Sequence, residues 1–124
     1  MPGDAPGGPR LKFSQDQRLK QAWEFERARR EGQRLVSGCL ILNWRFSDDQ
    51  KTSRLGVVTS KKIGNAVVRS RARRLLREVF RLHQHDFKLV ADIVLIARNS
   101  IAEKAYADVE RDFLRAVKQA RLVG

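Results

Sequence analysis

Residues 54–81, RLGVVTSKKIGNAVVRSRARRLLREVFR, restrict this chain more than any other stretch. An apolar run leads into Lys61 and Lys62, and a Gly64-Asn65 pair then opens a segment crowded with arginine. At about 100° per residue, Val68, Ala72, Leu75, Leu76, Val79 and Leu82 fall in one arc. Arg73, Arg74, Arg77 and Arg81 fall roughly opposite, with Arg69 and Arg71 on the flanks. The pattern predicts a helix from about Asn65 to Leu82, docked by its apolar face on a core. Between Lys61 and Arg81 eight cations face the single anion Glu78, a net of +7 in 21 residues. That is too much for an ordinary solvated face, and a polyanion is the natural partner. Arginine suits phosphate because its planar fork binds two oxygens at once and also stacks on bases. Asn65 fits an N-cap, which leaves backbone N–H groups where an anion could sit.

The rest of the chain agrees. Its 124 residues suffice for one domain with a real core. A formal net charge of +12 points to a nucleic acid or an anionic surface. No apolar run approaches the length needed to span a membrane, and no secretory leader is expected. The one cysteine, Cys39, excludes an intrachain disulfide framework, fits a reducing cytoplasm and reads as a small buried hydrophobe.

Residues 1–14, rich in Gly and Pro, read as a disordered tail ahead of a domain over 15–124. A short helix is expected from about Gln17 to Arg30, stopped by Gly32. Leu35 to Phe46 reads as one largely buried strand, 47–53 as a polar hairpin connection, and Arg54 to Thr59 as the next strand. Asp92 to Ala97 (DIVLIA) reads as a central strand. A last helix over about Ala105 to Leu122 repeats apolar residues at Ala105, Val109, Phe113, Leu114, Val117 and Ala120. The order helix, strands, helix, strand, helix around one sheet makes an α+β sandwich.

SKKIGNAVVRSRARRLLRE resembles the signature of the bacterial ribonuclease P protein components, a basic pair, Gly-x-Ala-Val-x, then Arg-Asn-Arg. RLKQAWEFERARREG resembles that family's N-terminal helix, RLGVVTSKK its central strand, and DIVLIAR the strand after the arginine helix. The likeness spans about residues 18–118. It implies a left-handed strand–helix–strand crossover, where chirality statistics alone predict a right-handed one. It also implies a non-catalytic protein subunit that binds a large catalytic RNA. The ribonucleoprotein removes the 5′ leader of precursor tRNA, with Mg²⁺ on the RNA performing the hydrolysis. A cytoplasmic 1:1 particle with a monomeric protein is expected, with neither membrane nor DNA as a partner.

Carried over position by position, the resemblance assigns catalytic-RNA contacts to Lys61, Lys62, Asn65, Arg69, Ser70, Arg71, Arg73, Arg74, Arg77 and Arg81. It assigns a leader-binding cleft to Phe25, Arg29 and Asn43, with Arg69 and Arg73 shared. Phe25 would stack on a base or sugar; the competing reading is plain core packing. Three positions depart from the family pattern. Ser70 replaces an asparagine, so a hydroxyl stands in for a two-ended amide. Arg29 replaces a second cleft aromatic, and a guanidinium can stack and pair with phosphate together. Asn43 replaces an aromatic, and the adjacent Trp44 points to the other sheet face. Trp23 and Trp44 read as core or edge residues.

Two rival functions come from other classes. A ribosomal or RNA-assembly protein would share the basic composition. An independent nuclease would use His83 and His85, an HxH pair that otherwise reads as helix-terminal residues favoured by the helix dipole. Asp48 and Asp49 read as turn residues, and no paired-carboxylate constellation for two-metal hydrolysis is present. A helix-turn-helix DNA binder lacks its second helix.

Overall fold

Gly38 sits at φ 56°, a conformation that side chains with a Cβ rarely adopt, and there the chain reverses. The expected single strand from Leu35 to Phe46 is therefore a hairpin, β1 (Gln33–Ser37) and β2 (Leu40–Phe46), with Cys39 buried in its turn. In this computed structural model, which describes residues 17–48 and 50–123, the chain continues with β3 (Arg54–Val58) and β4 (Ala91–Ala97). Three helices complete it: α1 (Ala22–Glu31), α2 (Ala66–His83) and α3 (Tyr106–Gln119). The expected tail over 1–14, and Asp49, lie outside the described residues.

The four strands form one mixed sheet in the order β1-β2-β4-β3. β4 pairs antiparallel with β2 and parallel with β3, so it is central, as its unbroken apolar run predicts. The expected hairpin across 47–53 is not formed, because β4 inserts between β2 and β3. A parallel pair needs a long crossover, and α2 supplies it.

Alternation sorts the strands into two faces. Leu40, Leu42, Trp44, Leu55, Ile93 and Leu95 point toward α2 and α3 and build the main core with Leu76, Val79, Phe80, Phe113 and Val117. Val94 and Ile96 point the other way and meet Leu19, Phe25 and Ala28 beneath α1. The result is the expected α+β sandwich, α1 on one face and α2 with α3 on the other.

Helix ends differ from expectation. Residues 17–21 do not extend α1; Arg18 bridges Leu55 at the edge of β3, where the Leu19 N–H donates to the Leu55 carbonyl at 3.0 Å. Gly32 does stop α1, its N–H donating to the Ala28 carbonyl. Ala105, which precedes α3, and Leu114 on it face solvent, while Asp112 and Ala116 are buried. Asp112 is held there by caps to the hairpin turn: its carboxylate accepts from the Cys39 N–H at 2.9 Å. Trp23 is 58% exposed on the outside of α1, under the Arg27 guanidinium at 5.0 Å, and belongs to no core.

Candidate nucleic-acid interface

α2 is fastened by Ala72, Leu76, Val79 and Phe80, all buried. Its first turn is capped as expected, the Asn65 side chain accepting from the Val68 N–H at 3.0 Å. Just ahead, buried Ile63 pins a 3-10 turn on which Lys61 and Lys62 stand exposed.

The arginines beside that buried stripe are held by neutral acceptors. Arg69 donates to the Gly64 carbonyl at 2.7 Å and Arg71 to the Lys104 carbonyl at 2.6 Å. Arg73 donates to Thr59 Oγ1 at 2.8 Å and to Ser70 Oγ at 3.2 Å. Such bonds aim the guanidinium without cancelling its charge. Among the described residues, no carboxylate lies within ion-pairing distance of Lys61, Lys62, Arg69, Arg71, Arg73, Arg74 or Arg77. Arg81 is different: it is paired with Glu78 at 2.6 Å.

Two grooves run from this face. One, of about 370 Å³, is lined by Arg18, Ser70, Arg73, Arg74, Arg77, Glu78 and Arg81. The other, of about 350 Å³, passes over the edge of β3 between Arg18, Lys20, Phe25, Gly56 and Arg77. Arg18 and Arg77 line both. Burial, together with the positive charges of Arg18 and Arg73, pulls the Arg77 pKa below its ordinary value. Cations so gathered raise one another's energy until an anion joins them.

The residues expected at the leader cleft are not all brought together. Phe25 faces the second groove, its ring so close to β3 that a Cβ on Gly56 would lie 2.3 Å from the ring. Arg29 is exposed and paired with Glu26. Asn43 is 3% exposed on the α1 side of β2, and its Oδ1 has no hydrogen-bond partner among the described residues. Trp44 faces the main core, as strand alternation requires. Arg69 turns toward Gly64, while Arg73 lines the adjoining groove. Arg77, assigned from sequence only to the catalytic RNA, is the α2 arginine that shares a groove with Phe25. Arg18 and Lys20 were not anticipated there; the basic residues of RLK just before α1 were the available signal.

The histidines do not converge. His83 Nε2 lies 2.7 Å from Glu110 Oε2, tying α2 to α3, while His85 is exposed. Among the described residues no group of three or more His, Cys, Asp or Glu side chains could hold a metal ion. No helix among them is long and apolar enough to cross a membrane.

The Ribonuclease P family model matches residues 13–121. The chain belongs to the ribonuclease P protein family. It is 36% identical over 111 residues to the ribonuclease P protein component of Clostridium novyi (strain NT), covering 89% of this chain and 98% of that one. It is also 36% identical over 108 residues to that of Gluconacetobacter diazotrophicus, covering 86% and 93%. The solved Staphylococcus aureus RNase P protein superposes with a TM-score of 0.80 at 27% identity, over 87% of this chain and 98% of that one. The Thermotoga maritima RNase P protein gives 0.73 at 28% identity, over 82% and 96%. As a ribonuclease P protein component, the chain is a tRNA-processing subunit of an endoribonuclease.

Proposed function

We propose that α2 grips the backbone of the ribonuclease P RNA, and that the groove between Phe25 and Arg77 receives the single-stranded 5′ leader of precursor tRNA. The observation that carries this reading is the set of seven cations on and ahead of α2 without a carboxylate partner among the described residues, contiguous with a groove holding one aromatic ring. Fixed guanidiniums neutralise phosphates and release counterions, which supplies affinity. A ring facing a basic groove can stack a base of any sequence, for roughly 1–3 kcal/mol. Arg81, shared with Glu78, contributes less than its neighbours. Asn65 caps α2 and Ser70 steadies Arg73, so both act on RNA through the arginines. Arg29 would meet leader phosphate only by leaving Glu26, and Asn43 would serve from beneath α1.

In this reading the RNA carries the hydrolysis and its Mg²⁺. The complex is one protein with one RNA, working in the cytoplasm. Reconstitution with the cognate RNA should enhance cleavage of leader-bearing precursor at low Mg²⁺, with affinity that falls steeply as salt rises. Capture of ribosomal RNA alone, with no effect on precursor cleavage, would replace this reading with that of an assembly factor. Cleavage by RNA-free protein that disappears when both histidines are changed would replace it with an independent nuclease.

A further inference from the structure

The sheet face beneath α1 carries a charge cluster that the RNA-gripping helix does not need. Asp92, on the central strand β4 and 1% exposed, has Arg54 and Arg45 as its cross-strand partners on either side. Arg54 holds it with two bonds, Nε to Oδ1 at 2.9 Å and Nη2 to Oδ2 at 3.0 Å. The third nitrogen of the same guanidinium, Nη1, donates to Glu24 Oε2 at 2.8 Å. The other Glu24 oxygen accepts the N–H groups of Lys20 and Gln21 at 2.8 and 2.9 Å, closing the first turn of α1. A continuous chain of bonds thus runs from the middle of the sheet, through Arg54, to the end of α1.

The neighbouring contact gives that chain its meaning. Glu24 and Phe25 are consecutive on α1, and Arg54 and Gly56 are two apart on β3, so both point to the same sheet face. The Glu24–Arg54 bond and the Phe25–Gly56 contact therefore seat one helical turn on one strand. Ten residues are too few to hold an isolated helix together. The apolar contact beneath α1 is small: among the described residues Leu19, Ala28 and Val94 are buried in it. A buried ion pair is a weak source of net stability but fixes geometry, because its alternatives leave a charge unpaired.

The geometry points to Arg54, held by Asp92 and holding Glu24, as a positioning residue that sets where Phe25 stands over β3 and so shapes the leader groove. This rests on the leader reading above. Arginine is required because one planar fork must serve two carboxylates, which an ammonium cannot do with the same geometry.

The test measures, for holoenzyme reconstituted with the cognate RNA, the preference for precursor with leader over mature tRNA, beside the affinity of protein for the RNA. Phe25→Ala should reduce the preference roughly tenfold, the loss of one stacked base. Arg54→Lys and Glu24→Gln should each reduce it at least threefold, with RNA affinity unchanged. In combination with Phe25→Ala they should add nothing further, since they act through that ring. Glu24→Gln keeps the shape and the backbone acceptor, so it remains informative if an Arg54 variant folds poorly. If Phe25→Ala lowers the preference while Glu24→Gln leaves it untouched, or lowers it independently of Phe25, the positioning role is wrong and the groove reading stands. A fall in RNA affinity in step with the preference would mark the cluster as general support for the fold and overturn the proposal. If Phe25→Ala itself changes nothing, the groove reading fails and this inference falls with it.

Discussion

The arginines of α1 and its sheet face and the arginines of α2 are the same side chain used in opposite ways. Beneath and along α1, Arg27, Arg45 and Arg54 reach Asp92, Arg54 also reaches Glu24, Arg29 pairs with Glu26, and Arg30 with Glu31. Along α2, Arg69, Arg71 and Arg73 end on carbonyl and hydroxyl oxygens. A paired guanidinium is spent inside the protein, where it sets geometry. One aimed by a neutral acceptor keeps its field for a ligand outside. Composition alone reports only the sum of the two populations.

The difference breaks most visibly if the paired set is deprived of its acid. Asp92→Ala leaves three arginines around a buried site and should cost about 3–5 kcal/mol of stability, read from urea unfolding; a loss under about 1 kcal/mol would mean the cluster is not a unit. The unpaired set should respond in binding instead. Arg69, Arg71 and Arg73 changed together to alanine should lower affinity for the catalytic RNA by about two orders of magnitude and flatten the log–log salt dependence by roughly two to three units. An unchanged slope would mean those guanidiniums touch no phosphate.

Acid sharpens the comparison further. Burial works to raise the Glu24 carboxyl, but backbone N–H groups of Gln21 and Lys20 and the Arg54 guanidinium more than offset it and hold it below the usual range. Asp112 is lowered in the same way, burial opposed by the Cys39 N–H and Arg111. A depressed carboxyl contributes stability that is present above its unfolded value and lost as pH falls through its folded one. Unfolding free energy should therefore hold steady at neutral pH and decline below about pH 4, and Glu24→Gln should shrink that decline. The smallest effect belongs to the exposed pair: Arg29→Ala should leave the urea unfolding midpoint unchanged, because solvent screens the Glu26 partner. Cys39 is a control for all variants. Burial and the nearby Asp112 carboxylate push its thiol up to about 12, so thiol reagents should modify it only after unfolding.

Much of this was legible before any coordinates. The spacing of Val68, Ala72, Leu76 and Val79 placed α2 within a residue or two, because helical periodicity over five turns leaves little freedom. The continuous apolar run read at 92–97 placed β4 at the centre of the sheet. Short-range turns were harder. A single glycine inside an apolar run hid the β1–β2 hairpin, and a polar loop at 47–53 imitated another. At the site, Phe25 and the α2 arginines were readable from motif, whereas Arg18 and Lys20 were not, because they reach the groove across the edge of β3.

From the sequence come the positions of α2 and β4, the basic face of α2, and a polyanion as the natural partner, since these follow from local periodicity and charge density. The tertiary structure alone brings the arginines of the sheet face to a carboxylate distant in sequence. Pairing depends on carboxylates brought near by strand order, and Asp92 lies 38 residues from Arg54 along the chain yet within hydrogen-bonding distance of it across one parallel strand pair.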